Sequence, residues 1–407
     1  MHYEGNEGKD RGSDQEKMKK IGFVTPWYGE EIPGGAEAEL RGVVHHLKDA
    51  GAPVEVLTTC VKSFASDWNE NFHPAGLTEE AGIPVRRFPV RKRDTKAFDA
   101  VNYRLINGRT LTNEEEETFC REMINSPELY DYMREHDEEY GLYFFIPYMF
   151  GTTVYGCQIR PGKSFLIPCL HDEEYAYMRC LRQPFAQAAG MVFNAEPERR
   201  LAEKLYGVRG EMFTTFGIGM ETDWKSDPAR FRAKYGIRDP FILYAGRKEA
   251  GKRVDLLIRY FTDYKERNPG NLKLVLIGGG EIEIPEGEDI IDLGFVEKQD
   301  KYDAYGAAEL FCNPSEMESF SLVIMESWLA GRPVLVNGKC AVTKDFVRQT
   351  GGGLYFENYM EFEGSVSYLT EQKETAAKMG RKGRRYVTEH FDWNVITKKY
   401  LQLINNA

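Results

Sequence analysis

Two parallel α/β domains in tandem are what this sequence predicts, and three observations carry the prediction. The chain has 407 residues, too many for one ordinary core and suited to two domains of roughly 150–200 residues. Near its start an apolar strand at 21–25 runs through a glycine-bearing loop into a helical pattern that reaches Leu47. Strand, glycine loop and helix make the first unit of a parallel sheet. The same unit restarts in the second half, where the strand at 241–245 passes through residues 246–253 into the helical stretch VDLLIRYFTDY.

Composition narrows the function. With 42% hydrophobic and 29% charged residues the chain is globular, and its net charge is −11. That balance excludes bulk nucleic-acid binding, because counterion release needs a basic face. Seven cysteines show no C-x-x-C spacing, so free, buried thiols in a reducing, cytoplasmic setting are expected.

In chain order, residues 1–17 form a polar leader, and the charged stretch up to Lys20 is expected to be disordered, with Met18 as an alternative start. After the strand at 21–25, Gly34 and Gly35 allow a backbone to approach a ligand closely, and the helix from Ala36 aims its N-terminus there; many such loops hold nothing. A strand at 54–58 follows. Residues 60–135 are less regular. The strand at 83–90 and the run Arg91, Lys92, Arg93 form a basic cluster with Arg86 and Arg87. It reads as a solvated face, or as a contact for an anionic acceptor such as a lipid pyrophosphate or anionic headgroups at a membrane surface. Residues 113–139 are acidic and helical, broken at Pro127. The longest apolar run, 142–155, is interrupted by Pro147 and Gly151 and is too short to span a bilayer; it reads as a buried strand, placed at 143–147, and a turn.

A strand at 164–168 precedes His171 and Asp172. This pair falls at the carboxyl end of a parallel strand, where α/β folds place ligands. A neutral histidine there can bond a sugar hydroxyl or a backbone oxygen, or it is simply a surface histidine. A strand at 191–194 and a helix opened by Glu196, Pro197 and Glu198 come next. The glycine-bearing stretch 213–222 lacks helical period and sets the domain boundary, giving units 18–217 and 218–388 and a last segment 389–407. Strands at 272–277, 290–293, 333–336 and 354–356 continue the second unit.

The densest stretch is 311–333, FCNPSEMESFSLVIMESWLAGRP. An apolar strand end turns at Asn313-Pro314-Ser315, and Ser319 or Ser321 can cap the helix that follows. Free N–H groups near Phe320 to Val323 form an anion site of the kind that holds a diphosphate. Glu318 and Glu326 flank it. Acids beside a phosphate are better explained by hydroxyls, one for a sugar and one for a ribose; a buried βα unit with two solvated acids is the plain alternative. Arg247 and Lys252 follow a strand end and add positive charge. No G-x-x-x-x-G-K-[ST] and no Asp-x-Asp occur, so no P-loop and no diphosphate-bound metal are expected.

These pieces resemble the retaining glycosyltransferases of family 4, in GRKEAGKRVDLLI, in NPSEMESFSLVIMESWLAGRPV, and in VLIGGG and DLGFV. The resemblance is good at 240–340, moderate at 21–58 and 165–220, and poor at 60–140. It implies the B-type (GT-B) architecture, two Rossmann-like domains facing across a cleft, with a final helix at 389–407 crossing back onto the first domain. It implies a metal-independent enzyme without cofactor, which uses a nucleoside-diphosphate sugar as co-substrate and moves the sugar to a hydroxyl acceptor in surface-glycan or polysaccharide synthesis, at the inner face of the membrane. Arg247 and Lys252 would bind the diphosphate, Glu318 the sugar hydroxyls and Glu326 the ribose. Phe320, Ser321, Leu322 and Val323 would meet sugar and phosphate through their backbone. Gly34 and Gly35 would approach from the other domain, His171 would touch the sugar near the reacting carbon, and Phe295 and Val296 would lie by the base. Glu318, His171, Arg247 and Lys252 are thus the catalytic candidates. The chain departs from the family at Arg253 and Ser321, where glycine is usual, and at Ser327, where alanine is usual. A nucleotide-sugar epimerase on the same scaffold and a non-catalytic nucleotide-sugar binder are the rival readings. Donor base and sugar, acceptor and oligomeric state stay open.

Overall fold

Alternating buried runs and glycine turns build two separate sheets. The computed structural model describes residues 19–407. The leader expected at 1–17 lies outside the described residues, as does Met18, but its extension to Lys20 is corrected. Lys20 opens the first strand and pairs with Glu55 and Glu139, each at 3.0 Å.

The first sheet has eight strands: β1 Lys20–Val24, β2 Val54–Thr59, β3 Gly76–Glu80, β4 Ile83–Phe88, β5 Tyr140–Phe145, β6 Ser164–Leu166, β7 Gly190–Phe193 and β8 Phe213–Thr215. Their order is β3-β4-β2-β1-β5-β6-β7-β8, all parallel except the β3–β4 edge pair. The second sheet has six: β9 Phe241–Ala245, β10 Lys273–Ile277, β11 Ile290–Asp292, β12 Leu310–Asn313, β13 Val334–Asn337 and β14 Gly353–Phe356. It runs β11-β10-β9-β12-β13-β14, parallel throughout. This is the doubly wound order in which strand direction of travel reverses once, and ligands bind outside the carboxyl ends at that reversal. The reversals fall between β1 and β5 in one domain and between β9 and β12 in the other.

Two strand expectations shift. The strand expected at 143–147 is β5, three residues earlier, and the run 142–155 holds the helix Gly151–Gly156 as well as a turn. So short a segment does not show a helical period in sequence. All seven cysteines carry free thiols.

The last helix, Trp393–Asn406, crosses from the second domain to the first. Tyr400 packs edge-on against Phe144 at 5.9 Å and Phe216 at 5.2 Å, and Trp393 stacks on His46 at 4.4 Å. Trp393 also fills the space that a Cβ would need at Gly42 and Gly219. At the crossing, Met220 N donates to Phe391 O at 2.7 Å, and the Thr222 hydroxyl donates to Asp392 at 2.5 Å. One hydrophobic cluster therefore runs unbroken from Phe23 and Val44 through Ile218, Trp393 and Phe391 to Phe320 and Ile324. Among the described residues no helix is long and apolar enough to cross a membrane.

Candidate functional site

Topology puts the loops after β9 and β12 side by side, and there Lys252 meets Glu318. Lys252 lies in the 3-10 turn Ala250–Lys252 after β9, and Glu318 in the loop after β12. Their charged atoms are 2.9 Å apart although 66 residues separate them. Glu318 is mostly buried. Burial alone would push its carboxyl up, but Lys252, His171 and a bond from Ser315 outweigh that and hold it below the ordinary carboxylate range.

His171 belongs to the first domain, and its influence on Glu318 reaches across from there. The two neighbours His171 and Asp172 turn to different partners. The His171 Nδ1 faces Glu173 at 3.5 Å, while Asp172 accepts from the Tyr177 hydroxyl at 2.6 Å. Glu173 is the residue that sequence reasoning passed over. It also accepts from the Tyr148 hydroxyl at 3.0 Å, from the loop after β5. Burial pushes its carboxyl up, and His171, Tyr148 and Lys252 together bring it below the usual range. An acid and a basic group from each domain thus influence one another electrostatically.

Other candidates stand at varied distance from this centre. Arg247 is exposed and pairs with Glu249 at 3.2 Å, so it is not drawn onto Lys252 and Glu318. Its carbonyl is held by the Tyr244 hydroxyl at 2.7 Å, which fixes the turn that carries it. Glu326 is not a solvated acid: it is buried, and Lys301 at 2.6 Å and the Tyr305 hydroxyl at 2.9 Å each take one oxygen. Phe320 is buried and T-stacked on Phe346 and Phe391, so only its backbone can face a ligand. Leu322 and Val323 are half-buried in the first turn of the helix Leu322–Leu329, where N–H groups have no intrahelical acceptor.

The expected serine cap is also corrected. Ser321 holds the N-cap position but its hydroxyl caps nothing; it accepts from Asn313 Nδ2 at 2.9 Å. Its φ of +82° is left-handed, which explains why a glycine suits this place. The same holds for Arg253, whose φ is +55° at the start of the helix Val254–Arg267. Arg253 reaches Glu316 at 2.6 Å in the Glu318 loop.

Phe295 is 83% exposed, the most open large apolar side chain among the described residues. Its ring covers Gly279, and Val296 beside it is half-buried. Gly34 has φ +147°, and a Cβ there would strike the Glu37 carboxylate, which Trp27 Nε1 holds at 2.8 Å. Gly35 faces open space. The glycine loop thus already carries an acid at its helix start, a feature not read from sequence.

The basic cluster of the first domain is corrected as well. Arg86 pairs with Glu55 at 2.8 Å, Arg87 is buried and pairs with Glu80 at 2.6 Å, and Arg91 pairs with Glu122 at 2.8 Å. Arg93 lies over Trp68 at 4.6 Å and Phe98 at 4.5 Å. The four arginines are thus engaged inside the domain rather than presented as the open solvated face or anion contact expected, and Lys92 alone of the cluster is exposed. No group of three or more His, Cys, Asp or Glu that could hold a metal occurs among the described residues.

Beneath the first-domain edge lie two buried acids. Glu39 accepts from Asn194 Nδ2 at 2.8 Å and the Cys169 thiol at 3.4 Å, and its Oε1 has no partner. Burial pushes it up to about 7. Glu198 accepts the backbone N–H of Leu170 at 2.6 Å and of Asn194 at 2.5 Å. Burial raises it too, to about 8. Both carboxyls are therefore held protonated at a higher pH than an ordinary glutamate.

Comparison with known proteins matches the second domain to a family. The model for "Glycosyl transferases group 1" covers residues 227–386. A D-inositol 3-phosphate glycosyltransferase of Nocardia farcinica is 31% identical over 186 residues, which are 40% of this chain and 41% of that protein. The chain spans about half the length of the curated relatives it matches, 41%, 48% and 57% for three of them. Among solved structures, Anabaena HepE in complex with UDP superposes with a TM-score of 0.70 at 16% identity, over 95% of this chain and 100% of that one. WaaG, a glycosyltransferase involved in lipopolysaccharide biosynthesis, gives 0.64 at 15% identity, over 95% and 100%. By its second domain in sequence, and by its whole length in fold, the chain is similar to group 1 glycosyltransferases of the two-Rossmann GT-B kind.

Proposed function

We propose that the chain moves a sugar from a nucleoside-diphosphate sugar to a hydroxyl acceptor, with retention and with fixed cations in place of a metal. The observation that carries this is the Lys252–Glu318 pair at the strand-order reversal, facing His171 and Glu173 of the other domain. Before a donor binds, Glu318 balances the charge of Lys252. A donor offers each partner a better match: phosphate oxygens for Lys252, and sugar hydroxyls for Glu318.

Negative charge gathers on the leaving diphosphate in the transition state. Lys252 and the N–H groups at the start of the helix Leu322–Leu329 stabilise it, and Arg247 joins when it swings in from solvent. His171 and Glu173 meet the sugar from the first domain. Glu318 and Glu173 are each engaged, by Lys252 and by His171 and Tyr148, which favours a front-face displacement in which the leaving phosphate helps to take the acceptor proton. Phe295 supplies an open ring for a base, and Glu326, held by Lys301 and Tyr305, an acid for a ribose. A glycan acceptor, handled on the cytoplasmic side at the inner face of the membrane, belongs to the same reading; WaaG, of like fold, is a glycosyltransferase involved in lipopolysaccharide biosynthesis.

A thermal-shift panel of UDP, GDP, ADP and their sugars tests the donor site, since a ligand that prefers the native state raises the melting temperature. One nucleotide of the panel should raise it, and release of that nucleoside diphosphate from its sugar should depend on an added saccharide acceptor. No shift with any of them overturns the reading. An isomeric nucleotide-sugar made from donor alone replaces it with an epimerase.

A further inference from the structure

Cys120 and Cys180 differ from the other five cysteines. Their sulfurs lie 2.8 Å apart, although 60 residues separate them. Cys120 sits on the helix Asn113–Glu122 and Cys180 in the 3-10 turn Arg179–Leu181. Contacts that do not involve sulfur hold these two backbones together. Glu116, one turn before Cys120, accepts from Arg179 Nε at 3.1 Å and from Cys180 N at 3.0 Å. Arg179 also donates to Leu111 O at 3.0 Å. Cys120 is buried and Cys180 half-buried, so solvent reaches one sulfur and the other lies behind it. The neighbouring sulfur and burial both raise the Cys120 thiol, and solvent access makes Cys180 the first to react.

We propose that Cys120 and Cys180 are a modification site, a dithiol that a small-molecule disulfide converts into an internal cross-link, tying the segment 174–181 to the helix Asn113–Glu122. The Cys180 thiolate attacks the disulfide, forming a mixed disulfide and expelling one small thiolate, which takes a proton. Cys120 loses its proton and attacks Cys180 Sγ; the protein S–S bond forms and the second small thiolate leaves. Two protein thiols are oxidised and one small disulfide is reduced to two thiols. The segment matters because it directly follows His171 and Glu173. In the reduced protein it is anchored by hydrogen bonds, those of Glu116, Leu111 and Asn102 among them, and in the oxidised protein also by a covalent bond.

Oxidised glutathione on the native full chain is the test. Thiols counted after denaturation should fall from the seven free cysteines to five, and peptide mapping without reductant should join the Cys120 and Cys180 peptides. Melting temperature should rise by on the order of 5 °C and return when reductant is added. In Cys120→Ser the same treatment should stop at one glutathione on Cys180, because the resolving thiol is gone. Seven thiols remaining, a stable glutathione adduct on Cys180 of the parent, or a link between other cysteines would each overturn the proposal. None of these readouts depends on sugar transfer, so the outcome stands whether or not the proposed activity does.

Discussion

The two sheet edges that face each other across the cleft share the order of their central strands but not a chemistry. The second-domain edge is built from two short loops: glycine turns at Gly246 and Gly278, the pairs Lys252–Glu318, Arg253–Glu316 and Arg247–Glu249, and a short helix start. The first-domain edge is crowded. Its arginines are paired internally, its glycine loop already holds Glu37, and two buried acids lie beneath His171. The difference teaches where constraint lies. A site for a fixed, highly charged group needs a few donors in one geometry, whereas a face for a variable partner can be rebuilt around its own core.

The largest expected effect tests the second-domain edge. Lys252→Ala should lower turnover on the order of 10²-fold or more, by analogy with removal of an oxyanion donor. Near-parental kcat in a folded variant would mean that the positive charge at this edge is not what the reaction uses.

Glu39→Gln probes the crowded edge. Its folded pKa near 7 lies above the 4.5 of an ordinary glutamate. The folded state therefore holds a proton that the unfolded state has lost between these values, and stability falls as pH rises from about 4.5 to about 7. Linkage puts the loss at about 3 kcal/mol. The glutamine variant should flatten that slope and melt higher than the parent at pH 8. An unchanged slope would show that another group carries the proton.

Glu173→Gln keeps the shape and removes the charge facing His171 and Lys252. Loss of a charged hydrogen bond predicts roughly a ten- to hundred-fold fall in kcat/KM, with melting nearly unchanged. A fall confined to stability would place Glu173 outside the site. The smallest effect is expected at Arg253→Gly. Relief of a left-handed residue, about 1 kcal/mol, is offset by the lost pair with Glu316, typically under 1 kcal/mol. Chemical denaturation should therefore find the variant within about 1 kcal/mol of the parent, and a loss beyond about 2 kcal/mol would make that pair a real tether of the Glu318 loop.

How far the sequence could be read follows the same division. The strands of the second domain and the neighbourhood of Lys252 and Glu318 were legible because parallel buried strands are continuous apolar runs, and the resemblance matched their loops. Glu173 was not, because it stands among several acids and only the fold shows that Asp172 turns away to Tyr177. The arginines at 86–93 were misread because their partners Glu55, Glu80 and Glu122 come from other elements. The Ser321 cap was misread because side-chain type favours capping, while a left-handed backbone points the hydroxyl to Asn313. Pairings of this kind are set by tertiary placement, which local pattern does not encode.

The bonded crossing of 220–222 with 391–392 has a mechanical meaning. Two covalent passages lying side by side behave like the spine of a book: they resist sliding and shear but leave one axis of swing. A donor gripped by one cover and touched by the other would then be enclosed by rotation about that line, and Trp393, wedged against Gly42 and Gly219, sits where the binding creases.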